Sequence, residues 1–168
     1  TPIHIYFKSD RDSGELETIE DLMEADVLGA GSVNDFSSVN LLSFDACLQC
    51  GRCEEVCPAT ISGMVYSPRT LLLRLREDMA ESLVSPNGKS SLELSPDLRS
   101  EEMLWSCTTC GHCLDVCPAF IRPPEHVIDI RRAQVLMTGD MPQMVGETLR
   151  NFERQGNPWA MPAQNRTA

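Results

Sequence analysis

The chain has 168 residues and a formal charge of -11, with 25 Asp and Glu against 14 Lys and Arg. That length suits one domain with extensions, and the acidic balance argues against a phosphate-tracking nucleic-acid surface, whose footprint is basic. Eight cysteines are too few for a short secreted disulfide scaffold and too many for ordinary intracellular usage, while two Trp, two Tyr and five Phe disfavour a strand-rich sandwich.

Thr1 to Arg11 has no basic region followed by an apolar core and a cleavage site, so a reducing, cytoplasmic setting is expected. Residues 1–31 read as an acidic N-terminal arm, with a hint of strand at His4 to Phe7 and an acidic helical turn at Thr18 to Ala25. A short helix is predicted over Ser38 to Phe44. Ser67-Pro68 reads as an N-cap and first helical position, and Leu71, Leu72, Leu75 and Met79 share one face of the helix it opens. That helix should stop at Ser85-Pro86-Asn87-Gly88. Val84 to Leu98, rich in Ser, Pro, Asn and Gly, is expected to be a solvated connection. Ser100 should cap a short helix over Glu101 to Ser106. Pro123-Pro124 opens a helix with Val127, Ile130 and Met137 at helical spacing, ended by Thr138-Gly139. Pro142 opens another, with Val145, Leu149 and Phe152 on one face, stopped by Gly156-Asn157-Pro158. The fold class is therefore mostly α, with residues 32–156 as one domain and 157–168 as a tail leading to an absent domain. No stretch approaches the roughly 18 apolar residues of a transmembrane helix. Membrane association is expected only through a partner or an absent region, at the cytoplasmic face.

The cysteines form two runs, Cys47, Cys50, Cys53, Cys57-Pro58 and Cys107, Cys110, Cys113, Cys117-Pro118, offset by 60 residues. Gly51 matches Gly111, Val56 matches Val116, Ala59 matches Ala119 and Ile61 matches Ile121, so the runs are an internal repeat. In the spacing C-x2-C-x2-C-x3-C-P, three thiolates two residues apart curl around a cuboidal cluster, and loop N-H groups point at its sulfides. The longer gap puts the fourth Cys at a helix start, with Pro at the position that needs no N-H. In two-cluster ferredoxins that fourth Cys serves the other cluster. On this pattern Cys47, Cys50, Cys53 and Cys117 hold one [4Fe-4S] cluster, and Cys107, Cys110, Cys113 and Cys57 hold the second. Gly51 and Gly111 suit loops whose backbone approaches the inorganic core.

Four disulfides would need an oxidising compartment, and cysteines two apart seldom pair. A structural zinc module needs neither a third Cys nor a Cys-Pro in both runs. No catalytic constellation remains, because His4, His112 and His126 are scattered and every Cys is assigned. His112 takes the place of Arg52 in the first motif, where it either tunes its cluster or is simply exposed. Trp105 and Trp159 read as packing residues, and Arg131-Arg132 as a solvated helix face.

Phe44-Asp45-Ala46-Cys47-Leu48-Gln49-Cys50-Gly51-Arg52-Cys53, Cys57-Pro58-Ala59, Ser67-Pro68, Trp105-Ser106-Cys107-Thr108-Thr109-Cys110-Gly111, Arg131-Arg132 and Glu153 to Trp159 together resemble a known family. The chain is similar, over about Ser32 to Pro162, to the iron-sulfur segment of heterodisulfide reductase-related proteins, such as their C- and D-type components. The resemblance implies an α-helical ferredoxin fold and electron transfer through two [4Fe-4S] clusters, within a heterodisulfide reductase-like or quinone-linked oxidoreductase. It also implies redox partners: a flavoprotein, a ferredoxin or a membrane quinone-reactive subunit. Many relatives carry a cysteine-rich CCG domain after this segment, so the alternative is the iron-sulfur part of an enzyme whose catalytic domain lies beyond this stretch. The residue after Trp159 is usually Gly in those relatives and is Ala160 here.

Overall fold

Short polar side chains set where the helices begin. The computed structural model describes residues 27–84, 93–162, 164 and 165; the expected strand at His4 to Phe7 and the turn at Thr18 to Ala25 lie outside them. The Asp35 carboxylate accepts the N-H groups of Gly31 and Ser32 at 2.9 and 2.7 Å, fixing a 3-10 turn, Val33–Asp35. Helix α1 (Ser38–Asp45) starts where Ser37 Oγ accepts the Asn40 N-H at 3.2 Å. Two single-turn helices, α2 (Arg52–Glu55) and α3 (Pro58–Ile61), belong to the first cysteine run.

Helix α4 (Pro68–Val84) is capped as its sequence predicts, with Ser67 Oγ accepting the Thr70 N-H at 3.2 Å. Its Leu71, Leu72 and Leu75 are buried and Met79 is partly so, hence the expected face is the one facing the core. Then come α5 (Pro96–Arg99), α6 (Glu101–Trp105), α7 (His112–Asp115) and α8 (Pro123–Ala133), which runs into a π turn, Gln134–Thr138. Ser100 caps α6 through the Met103 N-H at 3.2 Å. Helix α4 is the central element, touching α1, α2, α5 and α8, while α2 packs on α7. The core between them holds Phe44, Tyr66, Leu98, Leu104, Val127 and Ile130. An isolated antiparallel bridge pairs Ser32 with Glu93, and no strand forms among the described residues. The chain is mostly α, as expected.

Several local expectations are corrected. Within Val84 to Leu98, residues 85–92 lie outside the described set, but the end of the segment is not solvated. Leu94 and Leu98 are buried, and the buried Asp78 carboxylate accepts the Ser95 N-H at 2.8 Å, tying the segment to α4. Helix α8 does not continue regularly to Thr138. The wider π turn rotates the register, leaves Met137 exposed, and lets the buried Gln134 donate its side-chain N-H to Arg99 O at 2.6 Å.

The N-terminal packing begins before residue 32. The N-H of Ala30 donates to Asp129 O at 2.9 Å, and a Cβ on Gly29, at φ +88°, would collide with that same oxygen. Only glycine permits this approach. At the other end the chain divides into compact units after Thr138, so the helix α9 (Gln143–Gln155), placed by sequence inside the 32–156 domain, is described by itself.

Helix α9 carries Val145, Leu149 and Phe152 as the spacing predicts, but none of its residues is buried. It ends at Gly156, at φ +65°, and the Asn157 side chain then closes a turn. Asn157 Oδ1 accepts the Trp159 and Met161 N-H groups at 3.2 and 2.9 Å, and its Nδ2 donates to Met161 O at 2.7 Å. Trp159 is exposed, contrary to its expected packing role. Ala160 adopts φ +55°, the left-handed region that costs an L-residue about 1 kcal/mol. Ala160→Gly is therefore expected to stabilise this turn by up to about 1 kcal/mol, read as a several-fold slowing of amide hydrogen exchange over residues 157–161.

Candidate metal centre

The two cysteine runs fold alike. Gln49 and Thr109 have φ of 54° and 53°, and Gly51 and Gly111 both have φ of 82° before a single helical turn. A Cβ at Gly51 would meet only Glu54 Oε2, at 3.9 Å, and one at Gly111 only Leu114 Cδ1, at 3.7 Å. Among protein atoms, then, conformation is what calls for glycine here, not lack of space.

The repeat breaks at its end. Cys57 precedes α3 with Pro58 at its first position, as expected, whereas Cys117-Pro118 opens only a turn. Pro123 bars Arg122 from the right-handed helical region and holds it at φ -117°, ψ 69°. Within the turn itself Phe120 adopts φ 55°, the left-handed region, which breaks the helical path before a second copy of α3 can close.

One cavity is lined by Cys47, Cys50, Cys53 and Cys117, the first expected set, and also by Cys113 of the second. Cys53 is pushed up to about 11 by burial, then by Glu54, Cys47 and, more weakly, Cys117. Cys113 is pushed up to about 12 by burial, then by Cys107, Cys53 and Cys110. Cys53 and Cys113 are thus neighbours, and the two expected sets adjoin. Cys50 and Cys110 are exposed, Cys57 and Cys113 buried.

The donor set suits a multi-iron cluster. Tetrahedral zinc draws four ligands to within about 2.3 Å of one point, whereas each run here carries three cysteines two residues apart on one loop and a fourth at the start of the next turn. A cubane puts each thiolate on a different iron and keeps the sulfurs further apart. Buried thiols with raised pKa values need a positive partner before they release their protons, and iron supplies one.

Tyr66 gives a second sign of fit. It is 1 % exposed, and its hydroxyl, close to the Cys107 sulfur, makes no well-formed hydrogen bond to protein atoms. Burial first, then Cys107 through its charge and its hydrogen bonding, then the charges of Cys113 and Cys57, push its pKa far above the phenol range, so it remains a proton donor. A buried O-H beside three thiolates needs an acceptor, which cluster or thiolate sulfur would provide.

Arg131 is not on a solvated face. Its half-buried guanidinium donates to Leu104 O and Cys107 O, both at 2.6 Å, and lies 4.8 Å from the Trp105 ring centre. Burial lowers its pKa, against the raising influence of Cys107 and Tyr66. Arg132 pairs with Asp129 at 3.2 Å. Neither Tyr66 nor the role of Arg131 is marked by motif spacing. The nearest sequence signals are the Ser67-Pro68 cap beside Tyr66 and the Arg pair in the last turn of α8.

His112 is exposed, with Nδ1 3.2 Å from Cys110 Sγ; the His112 backbone N-H is the chief cause lowering the Cys110 pKa, while bonding to Cys110 raises that of His112. His126 sits apart, buried in the core, and His4 lies outside the described residues.

Residues 46–121 match the family model for the 4Fe-4S dicluster domain. Beyond that stretch the chain is similar to iron-sulfur oxidoreductases and to heterodisulfide reductase components. It is 32% identical, over 98% of its length, to a probable iron-sulfur-binding oxidoreductase, FadF, of Bacillus subtilis. It is 29% identical, over 85%, to an EtfAB:quinone oxidoreductase of Syntrophomonas wolfei, and 35% identical, over 54%, to a component of the dihydromethanophenazine:CoB--CoM heterodisulfide reductase of Methanosarcina barkeri. The chain spans only 28%, 23% and 24% of these three relatives. This dicluster protein is an electron-transfer module carrying two [4Fe-4S] clusters. Among the described residues no helix is long and apolar enough to cross a membrane.

Proposed function

We propose that the module works inside a larger quinone-linked or heterodisulfide reductase-like oxidoreductase, taking single electrons from a flavoprotein or ferredoxin and passing them towards a quinone-reactive or disulfide-reducing partner. The observation that carries this reading is the pair of matched cysteine loops packed against one another, α2 on α7, within one helical unit. The relatives named for EtfAB:quinone and heterodisulfide chemistry support it.

The ligand sets belong to the same proposal: Cys47, Cys50, Cys53 and Cys117 hold one cluster, and Cys107, Cys110, Cys113 and Cys57 the other. Lining of one cavity by Cys117 together with the first run, and the placing of Tyr66 near Cys107, Cys113 and Cys57, support that crossing. Each cluster supplies a site that accepts and returns one electron with little movement of its ligands. The protein's own residues do the rest. The loops hold N-H groups towards sulfur, buried Leu72 and Ile121 keep water off the inner ligands, and exposed Cys50 and Cys110 bring each loop to the surface.

With four thiolates each oxidised cluster carries about -2, deepening the charge of -11 to about -15. A donor should therefore dock through a basic face. The test uses the full-length parent protein, purified anaerobically and mixed with a reduced flavoprotein in a stopped-flow instrument. Cluster bleaching whose rate falls as salt rises, followed by quinone reduction, is the expected result. Reduction of a heterodisulfide without quinone reduction would shift the assignment to the disulfide-reducing branch. No electron uptake from flavoprotein or ferredoxin would reject the proposal.

A further inference from the structure

The two loops share a backbone but not their surroundings. Around the second run, the buried Tyr66 hydroxyl is turned to the Cys107 sulfur without a well-formed hydrogen bond and lies beside Cys113 and Cys57. Arg131 is anchored on the carbonyls of Leu104 and Cys107 at 2.6 Å. The Thr109 N-H points at Cys107 Sγ at 3.4 Å.

Around the first run, the Glu54 carboxylate lies beside the half-buried Cys53. Arg69, 2.9 Å away, offsets part of that charge, and the Ser67 hydroxyl donates to Glu54 at 2.5 Å. Arg52, the counterpart of His112, is exposed, so water screens its charge. The buried Ser67 hydroxyl and the half-buried Arg69 guanidinium beside this run are both engaged by the Glu54 carboxylate.

Reduction adds one negative charge to a cluster and moves no atoms between groups. Donor dipoles and cations held in low dielectric favour that charge, and a neighbouring carboxylate opposes it. Of the two environments, the Tyr66 and Arg131 donors face no carboxylate and act with least screening, so they outweigh an exposed Arg52 and an Arg69 already paired with Glu54.

We propose that the cluster held by Cys107, Cys110, Cys113 and Cys57 is the more readily reduced of the two, and that Tyr66 and Arg131 are the residues that set it above its neighbour. This rests on the crossed ligand sets proposed above. The first electron given to the protein then rests on the Tyr66 side, and transfer from the Cys47 run to the Cys107 run is downhill.

The test is an anaerobic redox titration of the holoprotein with dithionite and mediators, followed by EPR. Cys110→Ser replaces one ligand of the second run and so marks that cluster by altering its signal; the marked signal should be the one that titrates at the higher potential in wild type. Tyr66→Phe removes one O-H and keeps the ring, so it should move the higher midpoint to a more negative value and leave the lower one in place. Glu54→Gln should move the lower midpoint upward and narrow the gap. The ordering is overturned if the marked signal titrates second, or if Tyr66→Phe moves neither midpoint or only the lower one. Should Tyr66→Phe not load its clusters, an unchanged gap in Glu54→Gln overturns it. Failure of the ligand reading shows separately, as fewer than about eight irons per chain in wild type, or as damage to the Cys47-run cluster in Cys57→Ser.

Discussion

Cys57→Ser is expected to lose the cluster of Cys107, Cys110 and Cys113 and to keep the other, with iron falling from about eight to about four per chain. The substitution isolates ligation because of where Cys57 sits. It is 7 % exposed and is the N-cap of α3, with Pro58 at the first helical position. Serine is among the best N-cap residues, so the helix start is preserved and only the sulfur is lost. Cys117→Ser should do the reverse, removing the cluster of Cys47, Cys50 and Cys53. If each run instead held its own cluster, the two variants would exchange phenotypes. EPR of the dithionite-reduced variants, with iron and labile sulfide assays, separates the outcomes. Loss of one cluster should also loosen both runs, because crossed ligation joins residues 50 or more apart and makes assembly part of folding.

The features legible in the sequence are those whose cause lies within a few residues. Ser67-Pro68 and Ser100 start helices through bonds to N-H groups three residues on. The cysteine spacing repeats because each loop must take the same backbone path, visible at Gln49 and Thr109. What escaped the sequence depends on partners far along the chain. Arg131 reaches back to Leu104 and Cys107, Gln134 to Arg99, and Asp78 forward to Ser95. A helical Arg pair looks the same whether it faces water or caps a carbonyl. Leu94 and Leu98 are hidden by the Ser, Pro, Asn and Gly around them, although their spacing of four is helical. The loss of a second α3 comes from Phe120, held at φ 55° in the left-handed region, which no local motif announces.

His126 should give the fold an acid limb of its own. The ring is 1 % exposed, set edge-on to Phe44 and Phe36 with centroids 4.9 and 5.9 Å apart. Its Nε2 lies 3.5 Å from Ser43 Oγ, which gives its own hydrogen to Asn40 O at 2.6 Å, and its Nδ1 has no partner. Nothing in this apolar nest compensates a positive charge, so burial lowers the pKa from 6.5 to about 4. An unfolded chain binds the proton near pH 6.5, while the folded chain refuses it until about pH 4. Between those values the unfolded state holds more protons, and stability falls as pH falls. Above pH 6.5 the group contributes no slope. The loss is about 2 kcal/mol by pH 5 and approaches about 3 kcal/mol near pH 4. His126→Met keeps nearly the same volume without a titrating or unpartnered nitrogen, so its acid limb should be flatter by that amount. The measurement is the difference between wild-type and variant holoprotein unfolding midpoints at pH 7.5 and pH 5. Acid lability of the clusters is common to both proteins and drops out of the difference. Parallel pH dependence in the two would mean that His126 accepts its proton within the folded core, with Nδ1 finding an acceptor there.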